Sequence, residues 1–175
     1  MSQVVTNSYR YAGSTVFQSN SYINDNATTA GAGWFGSAFT NGVSITSGSQ
    51  LIGLKPSSVI WEVVKVGSPS SGNLVCRIYN SIFVVKATST NTIAASGVSD
   101  KQDIEFSFAG TYALASTDVV ALAITSTSGS DSSNYVSFYR SSFDESAVFT
   151  FVEPNAGLSG WVGFDPLCPY LQITG

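Results

Sequence analysis

The sequence contains no histidine, and only 10% of its 175 residues are charged. Without histidine there is no Ser-His-Asp triad, no Cys-His pair and no imidazole ligand for a metal. Lys and Arg number seven and are scattered as Arg10, Lys55, Lys65, Arg77, Lys86, Lys101 and Arg140. They form no stripe able to neutralise a phosphate backbone, and the net charge is −4, so nucleic acid is not an expected partner. Cysteine is scarce as well. Cys76 and Cys168 are too few for a disulfide framework and have no CxxC spacing for zinc. Both lie in strand-like surroundings, which favours two buried thiols over a disulfide. No apolar run approaches the roughly 20 residues of a membrane helix, and the longest, VVALAI at 119–124, has the length of a strand. The opening residues, MSQVVTNSYRYAG, lack the basic and apolar blocks of a secretory signal. The chain is therefore expected to begin as translated, at Met1.

What is present is apolar bulk and hydroxyl groups. Apolar residues make up 43% of the chain, enough for a full core in one domain. Ser and Thr supply about a quarter of it. A surface rich in hydroxyls and poor in charge suits a protein that packs against copies of itself or meets neutral partners such as glycans. A β-rich protein with Thr in its strands and Ser in its turns would have the same composition.

The patterning is β almost throughout. Gly, Asn, Ser and Pro punctuate the chain at intervals of about 8 to 12 residues, as in a sandwich or barrel. Strands are expected at 2–6, 14–18, 42–46, 50–54, 58–66, 74–80, 82–87, 103–108, 118–125, 134–140, 146–152 and 169–174. No helix is expected beyond a short turn within 98–105, because helical periodicity is not sustained. In LVCRIYN, Leu74, Cys76 and Ile78 share one face, and Val75, Arg77 and Tyr79 the other. In DIEFSF, Ile104, Phe106 and Phe108 alternate with Asp103, Glu105 and Ser107. In PYLQIT, Leu171 and Ile173 oppose Tyr170, Gln172 and Thr174. Two stretches, SVIWEVVKV and DVVALAIT, are apolar on both faces. Such strands lie centrally in a sheet, or turn one face to another subunit. Between them, KVGSPSSGN lacks the Lys-Ser/Thr and the helix of a phosphate loop. It reads as a hairpin-type turn, with Pro69 presetting one position and Gly72 or Asn73 supplying a positive φ.

The stretch QLIGLKPSSVIWEVVKVGSPSSGNLVCRIYN, residues 50–80, resembles a jelly-roll β-sandwich module. Its members end a strand in Lys, follow with a GSP-G-N turn, and open the next strand as apolar, x, apolar, x, Ile-Tyr. IEFSFAGTYALASTDVVALAIT, SGSDSSNYVSFYR and PYLQITG are similar to its later strands. The resemblance spans residues 42–175 and departs at STDVVALAIT, where the module often carries Gly and Tyr. It implies an all-β, single-domain antiparallel sandwich of jelly-roll type with about 8–12 strands. Modules of this kind occur in surface proteins of bacterial and archaeal viruses (tail, fibre and decoration proteins) and in secreted prokaryotic proteins. Some are carbohydrate binders and others are spacers. The resemblance carries over no ligand residue. Residues 1–41 fall outside it, as an arm with a Gly-rich segment at 28–39 that holds Trp34, Phe35 and Phe39. That segment is either an exposed contact site between subunits or a loop folded over one end of the sandwich.

No acid pair singles itself out for glycoside hydrolysis, and the chain is not expected to be an enzyme or to carry a cofactor. Calcium would need six to eight oxygens; the nearest acid groupings are Asp100 with Asp103, Asp144 with Glu145, and Asp131 in a Ser-rich loop, and none has the ladder of a dedicated site. Asn26-Ala27-Thr28 is a glycosylation sequon, meaningful only on an exported chain. The aromatic residues Trp34, Phe35, Tyr79, Tyr135, Tyr139 and Trp161 are the candidate contacts to glycans or other subunits. Two functions follow as expectations. One is a virion structural subunit, located on the virion surface or outside the cell, that assembles with itself or with other virion proteins and has no membrane partner. The other is a carbohydrate-binding module.

Overall fold

The computed structural model describes residues 7–11, 14–18, 27–28, 39–69, 72–99, 102–125, 134–141, 149–154, 161–164, 168–169 and 171–175. The class is all-β, as expected. The strands are β1 (Asn7–Tyr11), β2 (Ser14–Gln18), β3 (Ala27–Thr28), β4 (Phe39–Ile45), β5 (Ser58–Val66), β6 (Asn73–Tyr79), β7 (Val85–Thr88) and β8 (Ile93–Ala94). After a 3-10 turn at Ala95–Gly97 come β9 (Gln102–Ser107), β10 (Val119–Ile124), β11 (Tyr135–Ser141), β12 (Phe149–Pro154), β13 (Trp161–Phe164), β14 (Cys168–Pro169) and β15 (Leu171–Thr174). The expected strand at 2–6 lies outside the described residues.

Every strand pairing is antiparallel, and the strands form two sheets. The eight-stranded sheet runs β1-β2-β15-β5-β11-β14, with β9 also on β5 and β3 on β11. The seven-stranded sheet runs β13-β12-β4-β10-β6-β7, with β8 also on β6. On β5, Val63 pairs with both Gln102 of β9 and Phe138 of β11, and Trp61 with both Ile104 of β9 and Leu171 of β15. So β15 and β11 lie end to end along one side of β5, and β9 borders the other.

The core lies between the sheets, and period two supplies it. Val59, Trp61 and Val63 of β5, Ile104 and Phe106 of β9, and Leu171 and Ile173 of β15 come from one sheet. Val43 and Ile45 of β4, Leu74, Cys76 and Ile78 of β6, and Val120 and Leu122 of β10 come from the other. All are buried, so each inward face read from the sequence is in place. Trp61 is the largest buried side chain among the described residues, and its indole Nε1–H donates to the sulfur of Cys76 at 3.4 Å. That bond ties one sheet to the other in the middle of the core.

The strand β10 buries both faces. Val119, Ala121 and Ala123 are as inaccessible as Val120 and Leu122, and β10 lies between β4 and β6. The central reading of DVVALAIT therefore holds. Close packing continues onto β4, where a Cβ on Gly42 would lie 2.6 Å from the carbonyl oxygen of Val120 and 2.9 Å from the Cβ of Ala121. Only glycine fits that approach.

One connection differs from its expectation. KVGSPSSGN does not close a hairpin, because β5 and β6 belong to different sheets. It is an arch, linking a strand of one sheet to a strand of the other. Gly67 and Gly72 both take positive φ, at 65° and 87°, and the N–H of Ser68 donates to Asn134 Oδ1 at 2.8 Å. Period-two strands flank a hairpin and an arch alike, so the pattern alone does not separate them.

Candidate functional site

Two sheet edges lie on the same side of the sandwich, and the chain treats them differently. The edge of β9 faces away from β5. There the outward N–H of Ser107 donates to Asn91 Oδ1 at 2.8 Å. The Ser107 carbonyl accepts from the Thr90 N–H at 2.8 Å and from the Thr90 hydroxyl at 3.2 Å. The Glu105 carbonyl accepts from Asn91 Nδ2 at 2.8 Å. One asparagine side chain and one threonine thus stand in for the missing neighbour strand.

The edge of β7 has no such cover. Ser89 donates its N–H to the Cys76 carbonyl at 2.8 Å, and Ile78 faces Ala87 two residues along. In an antiparallel ladder, alternate residues point toward and away from the neighbour. Ala87 therefore bonds to β6, while the Thr88 N–H, the Thr88 carbonyl and the Lys86 carbonyl point out of the sheet. Among the described residues nothing pairs with these three groups. The β7 residues are exposed apart from Ala87, which is half-buried.

The turn leading into β7 is apolar and strained. Asn80 shapes it: Oδ1 accepts from the N–H of Ile82 at 3.1 Å and of Val84 at 2.8 Å. Phe83 sits at φ 64°, in the left-handed region that an aromatic residue rarely adopts. Held this way, Ile82 is 65% exposed, Val84 48% and Val85 45%. Three of the four exposed large hydrophobics among the described residues therefore cluster at the end of the open edge.

Between β7 and the segment following β9 lies a cleft of about 190 Å³, lined by Lys86, Ala87, Thr88, Phe108, Thr111 and Tyr112 among others. The Tyr112 hydroxyl donates to Asp118 Oδ2 at 2.8 Å, which also accepts from the Ala115 N–H at 2.8 Å. Desolvation pushes the Tyr112 hydroxyl up to about 12, helped by the hydrogen bond to Asp118 and by its charge. The tyrosine is thus neutral and fixed in place at ordinary pH.

The expected site residues do not converge. Tyr79 is 1% exposed, so it offers no face to a glycan or a second subunit. The reason is that its face of β6 is itself buried: Tyr79 packs with Val119 and Ala121 in a second apolar cluster outside the main core. Its hydroxyl accepts from Arg77 Nη1 at 3.4 Å, and burial raises its pKa against the lowering influence of that guanidinium. Tyr135 and Tyr139 fall on β11 of the eight-stranded sheet and Trp161 on β13 of the other. Their side chains, and Trp34 and Phe35 entirely, lie outside the described residues, as do Asn26, Asp100, Asp131, Asp144 and Glu145. Among the described residues no three acids or thiols gather to hold a cation, and no helix is long and apolar enough to cross a membrane.

Cys76 is a free buried thiol. Burial pushes it up to about 12, against a smaller lowering by the Trp61 hydrogen bond. A thiol without thiolate character or access is unreactive. The side chain of Cys168 lies outside the described residues.

Sequence reasoning missed the open edge and the cleft. Ile82, Val84 and Val85 read as strand, Asp118 as the first residue of the strand 118–125, and Tyr112 as part of the stretch between strands. The available signal was Asn80, a residue type that bonds its own backbone two residues on and starts turns. No protein family, curated protein or solved structure matches the chain.

Proposed function

We propose that the chain is a non-enzymatic structural protein of a virion, a capsid, decoration, turret or fibre subunit of jelly-roll type, that acts by self-assembly. The observation that carries this reading is the open edge of β7, flanked by exposed Ile82, Val84 and Val85. Unpaired edges are templates for another strand, and proteins that stay apart blunt them. Here the neighbouring edge is blunted and this one is not. Exposed apolar clusters mark interaction surfaces, and β-edge pairing supplies affinity through the main chain. Sparse charge leaves little long-range repulsion between copies. The resemblance to virus surface modules supplies the setting.

Light scattering on the purified chain across concentrations tests it. Mass should rise above that of the monomer with concentration, and Ile82→Lys with Val84→Lys should return it to the monomer without loss of fold. A monomer at all concentrations, with no partner particle to bind, contradicts it.

The cleft favours one second reading, a carbohydrate-binding module. Phe108 and Tyr112 offer ring surface, and Thr88, Thr111 and Lys86 offer donors, around a space suited to one sugar ring. A glycan array distinguishes it: signal lost on Tyr112→Ala supports this reading, and a blank array with folded protein removes it.

A further inference from the structure

We infer that two copies of the chain join edge to edge through β7, about a two-fold axis at Ala87, merging their seven-stranded sheets into one. This rests on the assembly reading above and names its partner and register. The outward Thr88 N–H and the outward Lys86 carbonyl of β7 complement each other. A Lys86 carbonyl, a Thr88 N–H and a Thr88 carbonyl lie on either side of Ala87, whose own polar groups are used by β6. Turned about Ala87, an antiparallel second copy places its Lys86 opposite Thr88. Each Thr88 N–H then donates to the carbonyl of Lys86 of the partner subunit. The two Ala87 residues form the non-hydrogen-bonded pair at the axis. That is the closer kind of pair, with Cα atoms about 4.5 Å apart, and a small side chain suits it.

Charge and shape agree with this register. Lys86 is the only charged side chain on β7, and the register sets it beside Thr88 of the partner subunit, not against a second lysine. The apolar turn at Ile82, Val84 and Val85 of each copy meets the far end of the partner's strand, where Ser89 and Thr90 begin the crossing to β9. A one-residue slip would pair Ala87 with outward groups it cannot match, because its N–H and carbonyl are already committed. An isologous contact of this kind closes on itself, so the product is a dimer, the commonest symmetric unit from which larger shells are built.

Thr88→Pro tests the register. Proline removes the outward N–H, which has no partner among the described residues, and an edge with its N–H side open is where strands tolerate proline. Thr88→Ala keeps the N–H and is the control. Sedimentation should show a dimer for the wild type and for Thr88→Ala, and a dissociation constant at least tenfold weaker for Thr88→Pro with an unchanged circular dichroism spectrum. Independently, Ala87→Cys should form an 87–87 intermolecular disulfide under mild oxidation, located by peptide mass mapping, because the expected Cα separation falls within disulfide range. A wild type that oligomerises while Thr88→Pro matches Thr88→Ala, or while Ala87→Cys gives no 87–87 link, overturns this interface and leaves the assembly reading standing. A wild type that is monomeric at every concentration removes both.

Discussion

The two neighbouring edges of this sandwich present the same kind of polar groups and meet opposite fates. On β9 the outward groups of Glu105 and Ser107 are bonded by Thr90 and Asn91. On β7 the outward groups of Lys86 and Thr88 meet no partner among the described residues. The residues that cover β9 are the direct continuation of β7, only two and three positions beyond Thr88. The chain therefore has the means of blunting an edge within reach of both, and uses it on one. An edge left open beside three exposed aliphatic side chains is a surface kept for a partner, whereas a capped edge is a boundary.

The largest expected effect strikes the core beneath both edges. Trp61→Ala removes a large, fully buried side chain and the bond to Cys76. It should cost about 3–5 kcal/mol in a urea titration, and it should raise amide exchange at both edges together. Loss at one edge alone would mean that the two are not supported by a common core.

Alkaline pH attacks the same tie. The folded-state pKa of Cys76 is raised from 9.0 to about 12 and that of Tyr112 from 10.0 to about 12. Both groups hold their protons more tightly when folded. Their contribution is complete below the unfolded values and is lost as pH rises from about 9 toward 12. Urea midpoints measured from pH 8 upward should fall across that window, and Cys76→Ser should flatten the early part of the fall. A flat profile in the wild type would contradict the buried-thiol account.

Asn91→Ala acts on the covered edge alone. It removes one acceptor and one donor from β9, at a cost of about 1–2 kcal/mol. It also opens a second edge, so light scattering should show species larger than those of the wild type. Lower stability with unchanged mass would show that the Asn91 cover serves the fold only.

The sequence made the inward faces legible and the edges illegible. SVIWEVVKV was readable to its last residue because Pro56 and Gly67 bound it and alternation marks Val59, Trp61 and Val63. At residues 50–54 the same apolar richness misled: LIGL buries Leu51 but turns at Gly53, whose φ is 85°. At 82–87 the β-branched run suggested one strand, yet the Asn80 side chain folds 82–84 into a turn and delays β7 to Val85. The two-residue strands β3, β8 and β14 depend on partners far along the chain, so no local pattern announces them. Tyr79 was misjudged for a related reason. Alternation shows that it opposes Cys76, but whether that opposite face is wet is decided by what packs there. An edge is legible only from pairing, and pairing is a property of the whole fold.

Amide hydrogen exchange at Thr88 and Ser107, followed as protein concentration is raised, tests the central claim most directly. The Ser107 N–H is held within the chain by Asn91, so its exchange should not change. The Thr88 N–H has no partner among the described residues and should become protected as copies associate. Thr88 exchange that stays fast and independent of concentration, in a chain that nonetheless assembles, would contradict the claim that the open edge of β7 is the joining surface.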